Sequence, residues 1–85
     1  MYVNYNNLSA PEYALLLLYN AYPNRIEKED LVNAIMRHGP KRNAAVMAIS
    51  RLNVVDEDQG TLKLRANGRE KAEELLKKLL ASKVR

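Results

Sequence analysis

The chain has 85 residues, a net charge of +4, 47% hydrophobic residues and no Cys, Trp or Phe, so it can build one core but not two. Without cysteine it has no disulfide staple, thiolate nucleophile or cysteine-based zinc site, and it suits a reducing cytoplasm. No apolar run approaches the roughly 20 residues of a membrane span, and the uncharged, Asn-rich start MYVNYNNLS lacks a basic targeting region, so a soluble intracellular protein without a membrane partner is expected.

Residues 1–8 are expected to form an arm, either flexible or part of an interface, ahead of a single domain over 9–85. The first helix should start at Ser9-Ala10-Pro11-Glu12, a capping-box pattern in which Pro is tolerated in the first turn. Leu15, Leu18 and Tyr22, flanked by Ala14, Leu17 and Ala21, recur at helical spacing, and Pro23 ends the run, giving a helix over about 10–22. Ile26 is either a staple or a one-residue strand. Glu27, Glu29 and Asp30 form an acidic first turn ahead of Leu31, Val32, Ile35 and Met36, so a second helix runs to Arg37 or His38.

His38-Gly39-Pro40 reads as a compact turn. After it, Lys41 to Leu52 forms a third helix with Ala45, Val46, Ile49 and Leu52 turned inward and Arg42, Asn43, Met47, Ser50 and Arg51 largely elsewhere. Val54-Val55 and Leu62-Lys63-Leu64-Arg65 flank the polar stretch Asp56-Glu57-Asp58-Gln59-Gly60, which is expected as the turn of a short hairpin. Asn67 is expected to cap a last helix over about 67–83, whose seam is Ala72, Leu75, Leu76, Leu79 and Leu80.

Helix-turn-helix, hairpin and closing helix form the order of the winged-helix fold. Ile26-Glu-Lys-Glu-Asp-Leu31, then Ala44 to Val55, and the stretch Leu64-Arg-Ala-Asn-Gly68-Arg69 resemble small winged helix-turn-helix DNA-binding regulators of bacteria and archaea, including MarR- and PadR-like groups and compact archaeal viral or plasmid regulators. The chain departs from that pattern at Ala66, where Thr is usual, and in the short segment Leu52 to Val55. The resemblance implies an α+β, mainly α, winged helix-turn-helix domain of three helices, a β-hairpin wing and a C-terminal helix. It also implies a sequence-specific double-stranded DNA-binding protein, a transcriptional regulator that reads the major groove with the helix over about 41–52. The alternative is a winged-helix protein-interaction module in a transcription or other assembly.

Charge is distributed unevenly. Residues 37–52 carry +4 through Arg37, Lys41, Arg42 and Arg51 without an acid, 53–58 carry −3, and 59–69 carry +3. Lys and Arg on a recognition helix supply phosphate contacts, while its exposed face meets base edges. Asn43 suits adenine, Arg42 and Arg51 guanine or phosphate, Ser50 either, and Ala44 or Met47 a thymine methyl; for Met47, core or interface packing stands equally open. Asp56, Glu57 and Asp58 either keep the wing tip off the phosphates or simply solubilise an edge hairpin. Lys63 and Arg65, with Arg69 beyond them, are the candidates for flanking phosphate contact.

Leu75, Leu76, Leu79 and Leu80 exceed what one small core needs. Together with Tyr13, Tyr19, Tyr2 or Tyr5 they are expected to form a homodimer interface, the alternative being that this helix only covers its own core. His38 is the only histidine, placed at a turn as a solvated or helix-capping ring, and the chain has no Gly-rich phosphate loop and no metal-ligand spacing. No catalytic residue, cofactor, metal or small-molecule effector is expected.

Overall fold

The computed structural model describes residues 8–83, and their side chains as far as Leu80; the expected arm and its tyrosines Tyr2 and Tyr5 fall outside the described residues, apart from Leu8. The described residues form a small α+β domain, mainly helical, in the order α1 (Ala10–Ala21), β1 (Ile26–Glu27), α2 (Lys28–Met36), α3 (Arg42–Arg51), β2 (Val55–Asp58), β3 (Thr61–Leu64) and α4 (Ala66–Lys83). The strands make one antiparallel sheet in the order β1-β3-β2.

Helix α1 begins where its cap dictates. The Glu12 amide donates to Ser9 Oγ at 3.4 Å and the Ser9 amide to Glu12 Oε1 at 2.9 Å, which satisfies two of the amides that a helix start leaves without intrahelical partners. Tyr13, Ala14, Leu16, Leu17 and Leu18 are all buried, too wide an arc for a helix lying on a surface. Helix α1 is therefore central, packed by α2, α3, α4 and β3.

Ile26 is a strand residue. It pairs with Leu62, and Glu27 pairs with Thr61, so this short strand fastens the start of α2 to the middle of the sheet. In β3 the alternation is plain: Leu62 and Leu64 are buried, while Thr61 and Lys63 are half-buried on the other face.

The hairpin turn is shorter than expected. Gln59 and Gly60 alone make it, with φ of 51° and 78°, the positive values that a two-residue turn needs to match the twist of its strands. Asp56, Glu57 and Asp58 consequently belong to β2 and pair with Lys63, Leu62 and Thr61. Three acids are poor strand formers, but β2 is an edge strand, where charge discourages pairing with another chain. The acidic stretch is thus a sheet edge, and the tip itself is uncharged.

Asn67 does not cap α4. The Arg69 amide donates to the Arg65 carbonyl at 3.0 Å, so the helix starts at Ala66 and Asn67 is an exposed residue of its first turn. The Arg65 amide meanwhile donates to the Val54 carbonyl at 2.8 Å. Gly68 is buried against that same carbonyl: a Cβ there would lie 2.7 Å from Val54 O and 2.9 Å from Leu64 Cδ2. The residue just before the hairpin and the last helix meet at a point where only hydrogen fits.

Candidate nucleic-acid interface

Helix α3 turns Ala45, Ala48 and Ile49 into the core, with Val46 and Leu52 half-buried. Ala48 was missed in the sequence because a lone alanine carries little pattern signal. Lys41, Arg42, Asn43, Ala44, Met47, Ser50 and Arg51 are all exposed, and Met47 is 50% accessible, which removes the core-packing reading for that side chain. At 3.6 residues per turn, Asn43, Met47 and Ser50 form one outward row and Ala44, Met47 and Arg51 the row beside it.

The cations around this face differ in freedom. Arg42 lies at the border with α2, where its Nη2 is 2.7 Å from Glu29 Oε1. Arg37, the residue closing α2, is exposed, as are Lys41 and Arg51 at the two ends of α3. Lys41 makes no side-chain cap and the first turn of α3 holds no acid of its own, so the positive end of the helix dipole is not offset from within the helix. Ser50 Oγ donates to the Met47 carbonyl at 2.9 Å, which commits its proton and leaves the oxygen able to accept.

Comparisons with protein families, curated proteins and solved structures return no match.

On the hairpin, Lys63 stands on the central strand opposite Asp56, and Arg65 is exposed at the junction with α4. Sequence reasoning missed Arg25. Its Nη2 is 3.0 Å and its Nη1 3.3 Å from Asp56 Oδ2, while Nε donates to Thr61 Oγ1 at 3.1 Å. One guanidinium thereby joins the loop before β1 to both hairpin strands and offsets one of the three acids. No local pattern announces it, because its partners lie more than 30 residues away.

Arg69 is engaged elsewhere. Its guanidinium carbon is 5.5 Å from the centre of the Tyr22 ring, within cation–π range, and its Nε is 3.6 Å from Glu73, whose carboxylate also accepts the Tyr19 hydroxyl at 3.1 Å. That hydrogen bond, with burial second, raises the Tyr19 pKa. The cluster bonds α1 to α4. Of the four leucines expected at a dimer interface, Leu75, Leu76 and Leu79 are half-buried against the chain's own core and Leu80 is 52% accessible. Tyr13, considered with them, is buried inside the domain.

His38 is not a solvated ring. It stacks on Tyr13 with ring centres 4.5 Å apart and 16° between planes, because the turn after α2 folds back on α1. Burial lowers its pKa from the ordinary 6.5. The unfolded chain therefore binds a proton more readily than the folded one, so His38 contributes full stability above pH 6.5 and progressively less as pH falls through its lowered folded-state pKa. Thermal unfolding midpoints should drop between pH 7.5 and 5.5, and His38→Phe, which keeps a ring on Tyr13, should flatten that drop.

No helix among the described residues is long and apolar enough to cross a membrane.

Proposed function

We propose that this protein is a winged-helix transcriptional regulator of the cytoplasm that binds double-stranded DNA, with α3 in the major groove and the β2–β3 hairpin as its wing. The observation that carries the proposal is the composition of the outward face of α3. It is a row of short polar and apolar side chains, framed by Arg37, Lys41 and Arg51, with no acid between residues 37 and 52. Cations at the margins suit phosphates, and Asn43, Met47 and Ser50 between them suit base edges. The tight turn at Gly39, with φ of 119°, supports the arrangement by setting α3 directly after α2. Arg65 extends the basic surface past the hairpin, while Glu57 and Asp58 beside the Gln59-Gly60 tip would hold that tip off the phosphates.

A fluorescence anisotropy titration of duplex DNA across a salt series tests this reading. The logarithm of the binding constant should fall linearly with the logarithm of salt concentration, with a slope of about −0.9 per phosphate contacted. Salt-independent binding, or binding unchanged by Arg42→Ala with Arg51→Ala, would refute it. A stable protein complex recovered by pull-down, with only weak non-specific DNA binding, would instead favour the protein-interaction module.

The functional unit is proposed to be a homodimer built on α4, because Leu80 and the uncovered halves of Leu75, Leu76 and Leu79 form an apolar stripe on one helix. A two-fold axis there would set two copies of α3 about one DNA turn, roughly 34 Å, apart. Leu80→Glu is the cleaner probe, since Leu80 contributes least to the chain's own core. Sedimentation should give a dimer for the parent and a folded monomer for the variant; a monomeric parent excludes the dimer.

A further inference from the structure

Resting on the DNA-binding reading above, we infer that α3 reads a major-groove step of A·T base pairs, with Asn43 on adenine and Met47 on the methyl group of a neighbouring thymine. The assignment follows from which side chains at the amino-terminal half of α3 remain available. Recognition helices contact base edges mainly with their amino-terminal residues, which here are Arg42, Asn43, Ala44 and Met47. Arg42, the one residue of this set that would favour guanine, is drawn toward α2 by Glu29 at 2.7 Å.

What is left is an exposed amide at Asn43, a methyl at Ala44 and a half-exposed thioether at Met47, one turn after Asn43. At adenine the Asn43 amide donates to N7 and its carbonyl accepts from N6–H2, so both of its groups are matched. Guanine offers two acceptors and would leave the Asn43 carbonyl unmatched. Met47 presents polarizable, unbranched apolar surface, and the only apolar group on a base edge in the major groove is the thymine C5 methyl. The remaining cation on the helix, Arg51, is its last residue and is placed for a phosphate.

The test uses the full chain and a duplex pool with a randomised centre. Selected sequences should carry an A·T step in each half-site of the bound duplex. In a selected duplex, replacing thymine by deoxyuridine removes only the methyl and should weaken binding about fourfold per methyl contacted. Replacing adenine by 7-deazaadenine removes only the N7 acceptor and should weaken it roughly five- to 150-fold, the cost of leaving the Asn43 N–H donor unpaired once it is buried in the complex. Met47→Ala should abolish the first effect and Asn43→Ala the second; both residues are exposed, and circular dichroism checks that the variants fold. Salt-dependent binding that is indifferent to both analogues overturns this inference and leaves DNA binding standing. Failure of every duplex to bind removes the reading on which it rests.

Discussion

Gly68→Val should be the most damaging single substitution outside the leucine core, lowering stability by about 3 kcal/mol, at the upper end of what forced overpacking costs. The obstacle is backbone: a Cβ at this position would sit 2.7 Å from the Val54 carbonyl oxygen, and that oxygen is held by the Arg65 amide at 2.8 Å, so it has little freedom to withdraw. Two branched methyl groups would add a clash with Leu64, itself fully buried. For a domain of this size, 3 kcal/mol corresponds to a fall in melting temperature of about 12–24 °C. Differential scanning calorimetry settles the matter, with Asn67→Ala as its neighbour control. Were Asn67 a cap, that control would cost about 1 kcal/mol; as an exposed residue within the helix it should be neutral or gain a few tenths. An unchanged midpoint for Gly68→Val would show that α4 and Val54 do not meet as described.

The second large effect concerns DNA. Arg37→Ala, Lys41→Ala and Arg51→Ala combined should flatten the salt dependence of duplex binding by about one per residue removed. At physiological ionic strength that amounts to a loss of roughly two orders of magnitude in affinity, if each cation neutralises one phosphate. All three side chains are exposed and none is part of the core, so unfolding midpoints should hold. Glu29→Gln should act in the opposite direction by releasing Arg42. Both members of that ion pair are more than half exposed, so its loss should barely touch stability. A triple variant that binds with the parent's slope would move the interface away from α3.

Much of the architecture was legible because its causes are local. Ser9 and Glu12 mark a helix start with four residues, and the periodicity of Leu31, Val32 and Ile35 or of Ala45 and Ile49 marks a buried helix face. The missed features are those whose cause lies far along the chain. Arg25 looks like one more surface cation until the hairpin brings Asp56 and Thr61 beside it. Asp56 to Asp58 read as a turn because their intrinsic preference is against strands, and only their place on a sheet edge overrides it. Gly68 stood in the sequence without a reason until Val54 was found pressed against it. The exposed residues of α3 could be named in advance, but which cation is engaged by an acid and which is free depended on Glu29, a neighbour in space.

The sheet is short, yet its connectivity governs how the molecule presents itself. Residues 28–54, which include both α2 and α3, are strung between β1 and β2, and each of those strands is fastened to an opposite edge of β3. The helix pair is thus a closed span with both abutments on one beam. Helix α3 and the hairpin therefore share one foundation, since both ends of the span are tied to β3 by backbone hydrogen bonds. On the proposed DNA-binding reading, that shared foundation sets the spacing between α3 and the hairpin, and so favours targets whose two points of contact fall at that spacing.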